Sequence, residues 1–600
     1  MNLNKKTIYL ALLGILATGT TSAVQLLDPP STPRITDITV FVAKKVVTMD
    51  PSLPTATAVA VADRKILSVG TLEDLKPWTS RYPTTINRQF ANQVIYPGFV
   101  EAHAHPLLGA IFLGFPLLTP SPVPSPWGQG FPGVANFQAA MNQLKQYSES
   151  IQDPNKILIS WGYDEKAMGA MPDRKLLDEV SAVRPIAVWN DSGHNMYVNS
   201  GLLKTYGITL DTVKGVPGVG VDKDGQLNGQ FIDMAAMEYL MGVIGKEIFN
   251  PNTLPRGIMF SNDLMQQHGV TTSGDMALGA INIDVELEAN KAFTSSKNTS
   301  IRIVEVAYGD PFVKKYGDQA QQKVADLSKL NTDRHIFQGV KFFSDAGFLP
   351  ETMYMNAPGY TDGHLGSSTY KSAQEFAATM KPWWDAGFHI HIHSNGDGGN
   401  QNSLNALQLL QDSKPRFDHR YTIEHFGVPT TAMVMKVKSL GAVISANITY
   451  MSERAHLEAP GIGVDRASYV TRVGNLMRSG VVTAIHSDYP AAMFSPDPLG
   501  EVGAAVTRLS AGTGSKQWAP AEALPVSEAM KMITINAAYT LGVEDKVGTI
   551  EPGKYADFTV LGDDPQTVPA TKIKDVPIVA TVLGGRVIPV SETKKPRPLN

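Results

Sequence analysis

The sequence predicts an α/β protein built on a (β/α)8 TIM barrel, with a small β-sandwich domain formed by both chain ends and an insertion in the barrel. Apolar strand-like runs alternate with longer segments of helical period from about Val94 to Tyr539. Such alternation favours parallel strands joined by crossover helices. The two chain ends instead carry short β-branched runs, and Glu179–Glu247 contains more elements than one loop needs.

Domain boundaries follow from these changes along the chain. We expect residues 33–96 and 541–595 to form the composite β-sandwich domain and residues 97–540 to form the barrel, with its insertion at about 179–247. The strand-like runs that we assign to the barrel domain are Lys156–Trp161, Ile186–Trp189, Ile301–Val306, Gly339–Phe343, Phe388–His393, Tyr421–Ile423, Ala442–Ile444 and Val481–Ile485.

The composition excludes several classes of protein. Hydrophobic residues make up 43% and charged residues 18% of the 600 positions, which is enough apolar material for a large core and argues against disorder. Lys+Arg 52 against Asp+Glu 56 leaves a formal charge of -4 without a basic stripe, so we expect no nucleic-acid partner. Cysteine is absent, so any metal must be bound by His, carboxylate or a modified side chain.

The N-terminal segment resembles a targeting signal. Lys5 and Lys6 precede the apolar run Thr7–Ala17, and small residues follow up to Ala23. This pattern predicts a secretory signal peptide over residues 1–23 and a periplasmic or secreted bacterial protein, with an uncleaved membrane anchor as the alternative. No later run reaches about 18 uninterrupted apolar residues, so we expect no membrane contact after cleavage.

Two histidines follow an apolar strand directly after Pro97-Gly98. His103 and His105 are two positions apart, so an extended strand presents both side chains on one face. A His-x-His pair in this geometry is a two-point metal clamp, although such a pair also occurs by chance. The placement at a strand end favours the metal interpretation.

Three later strand-like runs also end in metal-competent residues. His393 ends a strand with three histidines on one face, His425 ends the next, and Asp488 follows another. Each residue alone could be a packing histidine or a helix-capping aspartate. In a barrel, however, side chains at the carboxyl ends of different strands converge on one site, which favours a shared metal centre.

Lys341 lies between apolar neighbours in Gly339–Phe343, where burial of an ammonium group is costly. The side chain could extend to solvent from the strand edge. Alternatively, carbon dioxide could have carboxylated the amine, which would make it a bridging ligand for two metals. The sequence leaves both alternatives open.

These motifs in this order resemble the amidohydrolase superfamily, in particular the YtcJ-like branch that includes N-substituted formamide deformylases. The similarity runs from about Ile35 to Val590. The segments that carry it are Pro97–His105, Trp161–Glu165, Pro172–Asp178, Ser192–Asn195, Val198–Ser200, Gly339–Phe342, His393–Asp397, Ile423–His425, Ser487-Asp488, Thr534–Ala538 and Gly548–Asp557.

Three positions near the expected site depart from the pattern of that family. His486 stands where the family usually has Gly, Ser394-Asn395 stand where it usually has Ala-Ile, and His391 is an additional histidine. None of these departures removes an expected ligand. They weaken the transfer of a substrate class from the family to this chain.

The resemblance implies a metal-dependent hydrolase of carbon–nitrogen bonds in a small-molecule amide, formamide or cyclic amide. It implies attack by a metal-bound hydroxide, with one or two Zn2+ ions as the cofactor. The implied metal ligands are His103, His105, His393, His425 and Asp488, with carboxylated Lys341 as a bridge between two ions.

The resemblance also implies roles around the reacting bond. Asp488 would act as general base and then acid, and His194 would bind the substrate carbonyl or its oxyanion. Trp161 and Tyr163 would shape the substrate pocket, although aromatic residues there are also common core residues.

Two alternatives to amide hydrolysis stay open from the sequence. One is deamination of a heterocyclic substrate, and the other is a non-catalytic regulatory or binding protein that retains its metal. The sequence does not reveal the oligomeric state, for which symmetry statistics favour a homodimer.

Overall fold

The computed structural model describes residues 35–491, 495–510 and 516–599. The signal peptide predicted over residues 1–23 lies outside these ranges. No helix within the described ranges is long and apolar enough to cross a membrane.

The two ends of the chain meet in one sheet. Phe558 pairs with Pro97 in an antiparallel ladder, so a C-terminal strand continues the N-terminal meander. The ring centroids of Phe41 and Phe558 lie 6.0 Å apart, and a shared apolar core thus holds both ends. In sheet order the seven strands are Arg586–Pro589, Ile578–Leu583, Phe558–Leu561, Thr84–Pro97, Ile38–Val47, Thr55–Ala62 and Lys65–Gly70.

A parallel eight-stranded sheet forms the barrel of the described chain and confirms the predicted fold class. The first and last strands stand at the two ends of the sheet order. They approach each other at their carboxyl ends, where the Asp488 amide donates to the His103 carbonyl at 3.1 Å. The strands are β1 Phe99–Ala104, β2 Val270–Leu278, β3 Arg302–Tyr308, β4 His335–Phe343, β5 Ile390–Ser394, β6 Thr422–His425, β7 Val443–Asn447 and β8 Thr483–His486.

Helices cover the outside of the barrel and connect its strands, as a parallel sheet requires. Between β2 and β8 they are Ile283–Ser295, Gly309–Tyr316, Ala320–Leu327, Ala373–Asp385, Asp397–Ser413, Thr431–Leu440, Ala455–Ile462, Val464–Ser468 and Val473–Arg478. After β8 they are Pro498–Thr507, Val526–Met532 and Ile535–Thr540. A π-helical turn, Tyr450–Arg454, follows β7.

The barrel insertion is larger than the predicted residues 179–247. In sequence it lies between the helix Pro106–Phe112 and the helix Leu254–Gln267. In space these two helices contact each other, since Ser261 Oγ donates to the Pro106 carbonyl at 3.0 Å. Its five-stranded sheet has the order Val219–Val221, Leu227–Ile232, Asn195–Val198, Ile186–Asn190 and Leu158–Tyr163. Other elements before β2 are the hairpin Val123–Ser125 and Gly128–Phe131 and the helices Lys76–Thr79, Phe137–Ser150, Glu165–Met168, Arg174–Val180, Ser200–Thr205 and Asp233–Ile248.

The assignment of Lys156–Trp161 and Ile186–Trp189 to the barrel is therefore wrong. The strands at these positions are parallel to each other and joined by a crossover, which produces the same local β–α–β pattern as a barrel unit. Their sheet continues by antiparallel pairing with Asn195–Val198, which a local pattern does not reveal.

The strand β2 was absent from the predicted elements. Its sequence, VTTSGDMAL, is rich in small and polar residues, yet every position in it is buried. Asp275, for example, accepts a hydrogen bond from Asn290 on the outer side of the barrel at 3.1 Å. Such a hydrogen bond offsets the burial of a polar side chain, and a strand with so many polar residues lacks the apolar run from which we predict barrel strands.

Candidate metal centre

The first strand of the barrel supplies two imidazoles. The strand β1 is buried throughout, and Pro106 at the start of the next helix ends it directly after His105. The Nδ1 atom of His103 lies 2.8 Å from Glu424 Oε2, which leaves Nε2 for the centre of the site. The Nε2 atoms of His103 and His105 lie 3.4 and 3.5 Å from the same Asp488 oxygen, Oδ1.

Asp488 and His425 reach the centre through unusual backbone conformations. Their φ angles are 58° and 69°, in the left-handed region that residues other than glycine rarely adopt. The other Asp488 oxygen, Oδ2, lies 3.9 Å from His425 Nδ1. Strained backbone at converging polar side chains is typical of a functional site.

His393 at the end of β5 completes the set of histidines. Its Nδ1 lies 3.0 Å from His425 Nε2, and its Nε2 lies 3.3 Å from the carbonyl oxygen of Ala346. Burial lowers the pKa of His103, His393 and His425 well below the usual value for histidine. The three rings are therefore neutral at physiological pH, which is the form that binds metals.

Lys341 in β4 is buried beside these histidines. Its Nζ lies 3.2 Å from His103 Nε2 and donates to the Met276 carbonyl at 3.3 Å. The side chain is thus directed into the barrel, and the interpretation that it extends to solvent is wrong. Burial lowers the pKa of the Lys341 amine to about 8, against the opposing effect of Asp488 and Glu424.

Glu424 and His391 form a second layer below the centre. The sequence marks His391 only as an additional histidine and gives Glu424 no role. Buried Glu424 accepts hydrogen bonds from Nδ1 of both His103 and His391, at 2.8 and 2.6 Å. A carboxylate in this position fixes the tautomer and orientation of a metal-binding histidine. Glu424 directly precedes His425, and the alternation of side chains along a strand would place these two residues on opposite faces. The left-handed backbone of His425 breaks that alternation, so both side chains reach the site.

The insertion brings His194 to the cavity at the site. Its ring centroid lies 5.4 Å from that of His393, and its Nδ1 lies 3.9 Å from Asp233 Oδ1. Burial lowers the pKa of His194 to about 4, so the ring is neutral. A neutral imidazole carries one N–H group that can donate to a substrate oxygen.

Trp161 and Tyr163 do not line the cavity at the centre, contrary to the prediction. Tyr163 donates its hydroxyl to the Ala170 carbonyl at 2.7 Å, and Trp161 stacks on Phe112 with centroids 5.1 Å apart. Both belong to the core of the insertion, because their strand lies in the insertion sheet rather than in the barrel. Trp189, from the neighbouring strand of that sheet, lines the cavity instead.

The cavity has a volume of about 90 Å³ and two unlike walls. The polar wall comprises His105, His194, Lys341, His393, His425 and Asp488. The apolar wall comprises Leu108, Phe112, Trp189, Met241, Ala280, Ile281 and Phe343. Among the described lining residues Asp488 is the only carboxylate and Lys341 the only side-chain amine, so this part of the lining offers no separate partner for a charged substrate group.

The donor set fits a divalent transition metal. The described residues contain two groups of three whose ligand atoms lie within 4.8 Å of one another, namely His103, His105 and Asp488, and His103, His425 and His486. The Nδ1 atoms of His105 and His425 have no hydrogen-bond partner in the described chain. Imidazole and carboxylate donors without sulfur suit Zn2+ among other divalent ions.

Histidines and an aspartate at the carboxyl ends of barrel strands, around one buried lysine, define the class of metal-dependent barrel hydrolases. The Amidohydrolase family matches residues 91–589, and the chain belongs to this family. The family resemblance seen in the sequence is thereby confirmed.

Several curated proteins are similar over most of their length. The chain is 22% identical to Protein LONG AFTER FAR-RED 3 of Arabidopsis thaliana, over 90% of this chain and 89% of that protein. It is 24% identical to the putative amidohydrolase YtcJ of Bacillus subtilis, over 88% of this chain and 95% of that protein. It is 21% identical to the N-substituted formamide deformylase of Arthrobacter pascens, over 90% of this chain and 96% of that protein.

A solved structure has the same fold. An uncharacterized metal-dependent hydrolase from Pyrococcus horikoshii superposes with a TM-score of 0.66 at 18% identity, over 89% of this chain and 99% of that chain. At this identity the similarity supports the fold alone.

Proposed function

We propose that the protein is an exported metal-dependent amidohydrolase that cleaves the carbon–nitrogen bond of a small neutral amide, formamide or cyclic amide. The observation that carries this proposal is the position of Asp488. Its carboxylate lies within 3.5 Å of two histidine nitrogens and also lines the cavity. One side chain can thus contact both a metal and a substrate.

The ligands fall into two adjacent sets. His103, His105 and Asp488 would hold one ion, and His393 and His425 would hold a second, with Zn2+ as the proposed metal. A bound zinc ion supplies a Lewis acid for the substrate carbonyl and lowers the pKa of a bound water from about 15.7 to about 7.

Lys341 Nζ lies 3.2 Å from His103 Nε2 of the first set, and a carboxylated Lys341 would be the bridge to the second set. With a pKa of about 8, its amine has a neutral fraction near physiological pH, and the neutral form reacts with carbon dioxide. That reaction forms an N–C bond, releases one proton and leaves a carbamate anion. We propose that Lys341 is carboxylated in this way.

Asp488 and His194 then divide the chemistry of the substrate between them. Asp488 accepts the proton of the attacking water at a carboxylate oxygen and returns it to the departing nitrogen, as a general base and then acid. His194, neutral because of its burial, donates its N–H to the carbonyl oxygen as negative charge develops there.

The cavity walls support a compact neutral substrate. A substrate carboxylate or ammonium would have to give up its water without a charged partner outside the metal ligands, which is costly. The apolar side chains favour an aliphatic or other hydrophobic substituent on the amide.

Asp488→Asn tests the catalytic assignment. Purified full-length wild type and variant are offered panels of formamides, N-acyl amines, cyclic amides and amino-substituted heterocycles, and released amine and ammonia are measured. We expect the wild type to hydrolyse an amide and the variant to lose 10²–10⁴-fold in kcat/KM. Ammonia release from a heterocycle alone would favour the deaminase, and no turnover with metal retained would favour the non-catalytic protein.

Export is proposed from the sequence of residues 1–23. N-terminal sequencing of protein recovered from the periplasm or medium should begin at Val24. A homodimer, likewise proposed, would show twice the chain mass of 64.8 kDa (before signal-peptide cleavage) in light scattering.

A further inference from the structure

His486 at the end of β8 is a buried imidazole to which the proposed mechanism gives no role. Its side chain is fully buried, and neither ring nitrogen has a hydrogen-bond partner in the described chain. An apolar residue could fill the same space without burying two polar atoms, so a histidine here indicates a ligand for its ring nitrogens.

Two imidazoles and the backbone of Ser445 in β7 surround the His486 ring. Its ring stacks on His103 with centroids 4.6 Å apart and an angle of 17°, and it lies 5.2 Å from the His425 ring at 63°. One nitrogen from each of these three residues falls within 4.8 Å of the others. Two nitrogens bound to one tetrahedral zinc ion lie about 3.4 Å apart, so the side chains must move closer together to bind one ion.

We propose that His486 is an additional metal ligand, which together with His103 and His425 holds a divalent transition metal such as Zn2+. This position is an alternative to the two sets proposed above, in which His103 and His425 hold different ions. Because a metal lies in the plane of an imidazole that binds it, the nearly parallel His103 and His486 rings cannot both bind as they stand. Binding requires the His486 ring to turn about its Cβ–Cγ bond. Asp488 and Glu424 nearby supply negative charge for the ion.

A ligand at this position would change what the centre can do. A further neutral nitrogen shifts the preference of the site towards zinc, cobalt and nickel and away from magnesium and manganese. It also offers one metal position that does not depend on carboxylation of Lys341. The inference rests on the proposed function only in that both require a metal.

The test compares His486→Phe, His486→Gly and wild type in full-length protein. Phenylalanine keeps a ring stacked on His103 but removes both nitrogens, whereas glycine removes the ring as well. His389→Phe serves as the control. His389 directly precedes β5, contacts Gln338 in β4 and lies away from the centre. Zinc affinity is measured by chelator competition and metal content by elemental analysis, with circular dichroism to confirm folding.

We expect both His486 variants to lose at least about tenfold in zinc affinity and His389→Phe to match wild type. If His486→Phe keeps wild-type affinity, the residue only stacks and the inference is overturned. Should the variants fail to fold, zinc-edge anomalous diffraction from wild-type crystals decides. A nitrogen–zinc distance of about 2.0–2.1 Å to His486 supports the inference, and one above about 3 Å overturns it. A wild type without metal would instead contradict the proposed function.

Discussion

Glu424 orients His103, the first of the proposed metal ligands. It is buried in the barrel and accepts hydrogen bonds from His103 and His391. Replacing it with glutamine keeps the volume but allows its amide to present an N–H group where His103 needs an acceptor. We expect Glu424→Gln to weaken metal binding by about 10–100-fold, measured by chelator competition.

Glu305→Gln is the matched control for this prediction. Glu305 is also a buried carboxylate paired with a histidine, His335, but it lies on the outer side of the barrel wall with Asn290. This variant should lose stability while keeping its metal. Equal metal affinity in Glu424→Gln and wild type would contradict the orienting role.

Met241 sets the length of the apolar wall. It projects into the cavity from the insertion helix Asp233–Ile248. Met241→Ala should enlarge the cavity and raise kcat/KM for amides with a longer apolar substituent relative to the shortest ones. Met237→Ala removes a buried methionine one turn earlier in the same helix that does not line the cavity, so it should leave this ratio unchanged. A ratio that also stays constant in Met241→Ala would argue against this cavity as the substrate site.

The insertion is joined to the barrel by a buried charge cluster. Arg454, in the π-helical turn after β7, pairs with Asp164 at the end of an insertion strand and with Glu458. The side chains of all three are at most 9% exposed. Arg454→Leu would leave buried Asp164 without its cationic partner and Glu458 with Lys166 alone, at 3.5 Å. Breaking a buried pair costs about 3–5 kcal/mol.

Chemical unfolding of Arg454→Leu should show that loss, and Arg454→Lys should recover part of it. Asp164 directly follows Tyr163, whose carbonyl accepts a hydrogen bond from the Asp191 amide at 2.9 Å. The loop that carries His194 therefore begins beside the charge cluster. Amide hydrogen exchange in residues 191–194 should therefore rise in Arg454→Leu. Exchange unchanged from wild type would mean that the cluster does not position His194.

The sequence was informative where function requires particular residues at strand ends. His103, His105, His393, His425 and Asp488 all come together, because the ends of parallel strands in a barrel meet at one rim. It does not reveal the position of Trp161 and Tyr163, because the strand that carries them has the same local sequence pattern as a barrel strand. It does not indicate β2, whose buried polar residues interrupt the apolar pattern expected of a barrel strand.

The terminal sheet and the barrel are held together by a buried ion pair. Arg302 in β3 donates to both carboxylate oxygens of Asp557, at 2.6 and 3.1 Å, and Asp557 directly precedes a strand of the terminal sheet. The motif that ends in Asp557 was recognised only by resemblance, and the structure shows its structural role. Asp557→Asn should cost about 3–5 kcal/mol in unfolding free energy, because Arg302 stays buried and charged.

Asp564→Asn is a useful comparison in the same domain. Asp564 pairs with Lys45, whose side chain is 34% exposed, so solvent can compensate the lost charge pair. It also accepts a hydrogen bond from the Tyr96 hydroxyl at 2.7 Å, which the asparagine carbonyl oxygen can keep. Urea unfolding of both variants should therefore show a much larger loss for Asp557→Asn. Similar losses would mean that the pair with Arg302 does not hold the two parts of the molecule together.

Metal-dependent amide hydrolysis is tested most directly by removing and restoring the metal. The full-length protein is assayed on its best amide substrate as purified, after dialysis against a chelator, and after zinc is added back, with released amine as the readout. We expect activity to disappear with the metal and to return with about one to two zinc ions per chain. Hydrolysis that persists in protein shown by elemental analysis to be free of metal would contradict the proposed function.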